Sequence, residues 1–148
     1  MDAKFSDSVK ELIGSRGLKL DDVIDVINTA ESSKRKINDG SKNLAKKRIG
    51  EATIYAVYDN DGNVETAYSH RMVLGDLQKT TDEPDPTNWV CVSCNEKAVV
   101  GTVLMTYMGI TRSGPAVVCE KCGDAWVEEY LAINTIAAAE GLFEKKKA

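Results

Sequence analysis

Apolar residues recur at helical spacing at the start of this chain. Phe5, Val9, Leu12 and Ile13 fall at i, i+4, i+7 and i+8 and form one stripe, with Ser8-Val-Lys-Glu11 as a capping box inside it. Gly14 and Gly17 supply a stop. The pattern predicts a second helix from about Asp21 that buries Val23, Ile24, Ile27 and Ala30. Its first turn carries Asp21, Asp22 and Asp25, and Lys34-Arg-Lys36 follows its last turn, so charge matches the helix dipole at both ends.

From Thr53 the period changes. Residues Thr53–Asp59 are β-branched or aromatic in the main, Asn60-Asp-Gly-Asn63 supplies turn formers, and Val64–Val73 resumes the strand pattern, which predicts a hairpin. Alternation puts Ile54, Ala56 and Tyr58 on one face of the first strand, and Val64, Thr66, Tyr68, His70 and Met72 on one face of the second. Residues 79–88 contain two prolines and no large apolar residue, and read as a break. Beyond them come Cys91-Val-Ser-Cys94, a strand from Val99 to Tyr107, a turn over Gly109–Pro115, a short strand Ala116–Val118, and Cys119-Glu-Lys-Cys122-Gly123. A helix from about Asp124 to Glu140 then shows Trp126, Val127, Tyr130, Leu131, Ile133, Ala137 and Ala138 at core-facing positions.

The expected architecture is α+β in two parts. Residues 1–80 form a domain of two helices and a β-hairpin, 81–88 a linker, and 89–148 a four-cysteine module closed by an amphipathic helix. A module of about sixty residues buries little apolar surface, so a bound metal would supply the missing folding free energy.

The cysteines carry the chemistry. One CxxC is a weak signal, but two of them, separated by a segment that reads as a hairpin, make a metal-binding signature of Cys91, Cys94, Cys119 and Cys122. Two sulfurs three residues apart converge on one ion only in a tight knuckle, and the next residue then favours a left-handed backbone. Asn95 and Gly123, the residue types that tolerate it best, occupy those places. Four thiolates close a tetrahedral sphere and leave no position for water, which points to structural zinc. Mononuclear iron or an iron–sulfur cluster takes the same four ligands, and two disulfides are a further alternative.

Residues 88–142 resemble the treble-clef and zinc-ribbon modules, and Asn88-Trp-Val-Cys91-Val-Ser-Cys94 resembles a rubredoxin knuckle. The treble-clef resemblance implies that Cys119 and Cys122 open the last helix, where its dipole would favour thiolates. Residues 1–80 resemble no family.

Composition changes the picture only in part. With 43% apolar and 28% charged residues and a net charge of −4, the chain has the balance of a globular protein and no general attraction for nucleic acid. Locally, Lys34, Arg35, Lys36, Lys42, Lys46, Lys47 and Arg48 stand against Asp39 alone, which keeps a DNA- or RNA-binding regulator open. The bland reading of that stretch is a solvated loop or short helix around Asn43–Ile49. The start lacks a secretory pattern and the run Ala98–Ile110 is too short to span a bilayer, so the expectation is a cytoplasmic protein without a membrane role.

His70, the single histidine, sits beside Ser69, but strand alternation turns the two apart and leaves no catalytic pair. No phosphate loop, HExxH or paired carboxylate motif occurs. The reading is a non-catalytic zinc-binding subunit or adaptor that presents a surface to a larger and possibly redox assembly, with Tyr68, Tyr107, Trp126 and Tyr130 as large surfaces for docking the two parts of the chain or a partner. An electron carrier with iron at the same sulfurs is the other alternative to the nucleic-acid regulator.

Overall fold

Both faces of the central strands are apolar, and the fold is built to cover both. The computed structural model describes residues 1–78 and 84–147, with side chains through Lys145, so residues 81–83 of the expected linker lie outside the described residues. Helix α1 spans Asp7–Ser15 and α2 Leu20–Ser33. The strands are β1 (Lys36–Asn38), β2 (Lys42–Ile49), β3 (Ala52–Asp59), β4 (Val64–His70), β5 (Val73–Gln78), β6 (Pro86–Cys91), β7 (Glu96–Tyr107), β8 (Ile110–Val118) and β9 (Ala125–Trp126). A π-helical segment, Leu131–Ile136, runs into α3, Ala137–Lys147.

A helical pair and hairpin joined to a small ribbon is not what forms. Among the described residues nine strands form one antiparallel sheet in the order β4-β3-β2-β1-β6-β7-β8-β9, with β5 also paired to β7. The short strand β1 is the seam: it pairs with β2 through Ile37↔Leu44 and with β6 through Ile37↔Cys91. Because β1 and β2 lie between the helices and the hairpin, the stretch expected as loop or short helix is strand. Lys46-Lys-Arg48 hid that strand behind charge, since long basic stems cover apolar surface while their heads stay wet.

Alternation along β2, β3 and β4 sorts the core into two layers. Ala45, Ile54, Ala56, Tyr58, Val64 and Ala67 face α1 and α2, which contribute Ile13, Val23, Val26, Ile27 and Ala30. Leu44, Tyr55, Tyr68 and Met72 face the other way, against Val103, Met105, Val117, Trp126 and the π-helical residues Ala132 and Ile136. A run buried on both faces has little reason to alternate, which is why Ile54–Tyr58 is apolar throughout.

Local departures have local causes. Ser6, rather than Ser8, caps α1 by accepting from the Val9 N–H, and α2 buries Val26 instead of Ile24. A bulge shifts the β3–β4 register between Val57 and Tyr58, so Val64 lies opposite Tyr58 and joins the helix-facing layer, not the face of Tyr68 and His70. The β7–β8 turn is only Met108-Gly109, with φ of 51° and 77°, and Ile110–Val118 is all strand. Gly101 makes that pairing possible, because a Cβ there would sit 2.6 Å from a Val118 methyl.

Candidate metal centre

Two antiparallel corners bring the cysteines together. Cys91 ends β6 and is paired with Glu96, so Val92–Asn95 forms the first knuckle, with Asn95 at φ 51°. Cys119 follows β8, and the second knuckle closes through the Gly123 N–H donating to the Cys119 carbonyl at 2.8 Å, with Gly123 at φ 78°. The pairing Val99↔Val118 sets both knuckles at the same end of the β7–β8 hairpin.

The four sulfurs lie within 4.8 Å of one another, and Cys91 Sγ is 4.0 Å from Cys122 Sγ. Metal–sulfur bonds of about 2.3 Å in a tetrahedron put sulfurs about 3.8 Å apart, whereas a disulfide needs about 2.05 Å. All four cysteines are free thiols, so the spacing suits an ion and not a pair of disulfides. The donor set fits a thiophilic cation such as zinc or iron.

Burial and hydrogen bonding set the thiols apart. Burial pushes the Cys119 thiol up to about 12 and also raises Cys122. At Cys91 burial acts in the same direction but is outweighed by the Ser93 hydroxyl, the Cys94 backbone N–H and the neighbouring thiols, so that thiol lies below its ordinary value. Cys119 and Cys122 resist ionisation where Cys91 favours it, and a bound divalent cation would stabilise their thiolate forms.

Asp124 ties this centre to the rest of the sheet. Its carboxylate takes Lys46 Nζ at 2.8 Å and Arg35 Nη2 at 2.9 Å, and its carbonyl accepts the Cys119 N–H at 2.9 Å. Lys46 also lies 5.3 Å from the centroid of Trp126 and donates to the Ala125 carbonyl. Sequence reasoning named Arg35 and Lys46 only as part of a basic stretch and missed Asp124. The available signal was an acid directly after the knuckle glycine and a Lys46/Arg48 pair at strand spacing.

The treble-clef expectation fails at this point. After Gly123 the chain enters β9, which pairs Val117↔Trp126 and Val118↔Ala125. Helical backbone begins only at Glu129, so no helix dipole faces Cys119 or Cys122. Trp126 and Val127 are buried, as residues of and after a strand, whereas Tyr130 is 74% exposed and Ile133 partly so. The π-helical turn rotates the face, leaving Ala132 and Ile136 inward where the regular spacing had pointed to Ile133.

The remaining candidates find structural partners. His70 is buried, and its Nε2 pairs with the Tyr55 hydroxyl at 2.8 Å. Tyr55 accepts from the Val127 N–H, and Tyr68 donates to the Val127 carbonyl at 2.7 Å. Tyr107 donates to Glu144 at 2.6 Å. The basic stretch is largely neutralised: Lys36 holds Glu31, Lys42 Glu65, Lys47 Asp25, and Lys46 with Arg35 holds Asp124. Among the described residues no helix is long and apolar enough to cross a membrane.

No curated protein and no solved structure matches the chain. Residues 87–146, which contain both knuckles and the terminal helix but less than half of the chain, match a domain family of unknown function, DUF7479.

Proposed function

We propose that this chain is a zinc-binding scaffold, without catalysis of its own, that presents a protein-interaction surface within a larger assembly. The convergence of Cys91, Cys94, Cys119 and Cys122 within 4.8 Å supports the metal. Four thiolates fill the sphere of zinc, so the ion acts as a clamp between two hairpin corners and not as a Lewis acid. Tyr130, Ile133 and Leu142, at 74, 39 and 60% exposure on the terminal helical segments, support the interaction surface.

Protein purified without oxygen tests the metal directly. The expected result is one zinc per chain, no visible absorption band, and loss of the metal in Cys119→Ser. A visible thiolate-to-iron band with iron in place of zinc overturns the scaffold in favour of electron transfer. A fully folded, metal-free chain with every thiol reduced overturns both. The partner is tested on the native protein by size: Tyr130→Asp with Leu142→Asp should release it from its assembly, and native protein found always as a free monomer overturns the adaptor role.

A further inference from the structure

The chain also carries a cleft that shares Asp124 with the cysteine cluster but contains none of the four cysteines. It has a volume of about 620 Å³ and opens between the end of α2, the outer edge of β2 and the start of β5. Arg35, Lys46, Lys47 and Arg48 line it, together with one carboxylate, Asp124. Asp25, bound to Lys47 at 2.9 Å, adds a second negative charge at the rim. An excess of two positive charges therefore remains in a protein whose net charge is −4.

Arg48 is the unusual member. Its guanidinium donates to Thr53 Oγ1 at 3.1 Å and to the carbonyls of Met72 at 3.3 Å and Glu51 at 2.8 Å, all neutral acceptors. The group is held in place while its charge keeps no carboxylate among the described residues. Fixed guanidinium groups of this kind recognise phosphate oxygens by paired N–H donation.

The backbone adds one donor. β1 pairs with β2 only over Asn43–Ala45, while β3 covers the other edge as far as Ile49. The Asp39 N–H bonds the Lys42 carbonyl across the β1–β2 turn, so even-numbered residues of β2 direct their amides to the β1 side. The last pair is Lys36↔Ala45, which sets the Lys46 amide opposite Arg35, and only the Arg48 amide lies on that side beyond the ladder. Ala30, Val73 and Leu74 complete an apolar wall.

We infer that this cleft binds a small organic phosphate, its dianionic group held by Arg48, Lys46 and the free β2 edge and its apolar body lying against Val73 and Leu74. The volume lies within the range of small-molecule sites, and the charge excess equals that of a phosphate dianion. A dianion gains from Arg48 without displacing a carboxylate, and it shares Lys46 with Asp124.

Zinc-loaded full-length protein, ¹⁵N-labelled, titrated with phenyl phosphate, inorganic phosphate and phenol tests the proposal. The expected outcome is saturable shifts of the Lys46 and Arg48 amides with phenyl phosphate, at least fivefold weaker binding of inorganic phosphate, and no saturation by phenol. Arg48→Gln should weaken phenyl phosphate at least tenfold, and Lys42→Gln, a basic residue outside the cleft, less than twofold. Val73→Glu, at a half-exposed position, keeps the test valid if Arg48→Gln misfolds, because it places a negative charge on the wall and should abolish binding. Non-saturable shifts, equal losses in Arg48→Gln and Lys42→Gln, or undiminished binding by Val73→Glu overturns the site.

Discussion

Lys46 of β2 meets Asp124, the second residue beyond Cys122, at 2.8 Å, with about a fifth of the lysine side chain and an eighth of the carboxylate side chain exposed. This contact joins the N-terminal strands to the second knuckle. Burial alone would raise the Asp124 carboxyl, but Lys46 and Arg35 together hold it below the usual carboxylate range. Replacing Asp124 by Asn leaves two cations without their counter-charge, and urea unfolding of metal-loaded protein should show a loss of about 2 kcal/mol. Adding Lys46→Met should recover about half of that loss, since one orphaned charge disappears with it. Strictly additive losses would mean that the pair does not couple the two regions.

The knuckle residues make a separable prediction, because their strain is in the backbone and not in a contact. Nothing lies within 4 Å of a Cβ built on Gly123, yet its φ is 78°. Gly123→Ala should therefore cost roughly 1–2 kcal/mol, and Gly123→Asn clearly less. Asn95→Gly, at φ 51°, should be neutral within about half a kcal/mol. Thermal unfolding with zinc present reads all three, and an equal loss for Ala and Asn at position 123 would remove the backbone explanation.

His70 should stay neutral well into acid. Burial pushes its imidazole down to about 4, and the nearby Arg48 and Lys46 charges act in the same sense. The folded value lies below the unfolded one near 6.5, so the stability linked to His70 is complete above 6.5 and is lost as pH falls from there towards 4. The full loss is about 3 kcal/mol. As the single histidine, its ring protons can be followed by NMR without assignment. A midpoint below 5 is expected, together with a shallower acid decline of stability in His70→Gln; a midpoint at 6 or above contradicts the burial argument.

The cysteine spacing was legible because a CxxC knuckle is local: two sulfurs, a three-residue step and a left-handed residue at Asn95 or Gly123. The two N-terminal helices were legible for the same reason. The sheet was not, because β1 is three residues long, the Asp39-Gly40 turn that pairs it with β2 went unread, and its pairing with β6 joins segments far apart in sequence. Lys46-Lys-Arg48 read as solvated charge, although alternate residues serve opposite faces, Lys47 reaching Asp25 on α2 and Lys46 reaching Asp124. Helical spacing misplaced the last element too, since Trp126 and Val127 suit a helix face and a buried strand end equally well, and only the pairing with Val117 decides between them.

Glu140 supplies the last prediction, and it concerns how the terminal helix is held. The residue is 9% exposed, and one oxygen, Oε2, accepts the backbone N–H of Arg71 at 2.7 Å and of Met72 at 2.8 Å. Those amides lie in the corner between β4 and β5, where no strand partner is available to them. Glu140→Ala would leave two backbone donors without an acceptor, one of them buried, and should cost about 2–4 kcal/mol. Glu140→Gln retains a carbonyl oxygen for the same position and gives up only the charge, so its cost should be about 1 kcal/mol. Hydrogen exchange locates the effect: in Glu140→Ala the Arg71 and Met72 amides should exchange fastest, and Phe143, which packs on the inner core from the same helix, should lose protection with them. If both variants lose equally, charge and not the acceptor geometry anchors the helix; if neither amide changes its exchange rate, the contact does not hold the corner.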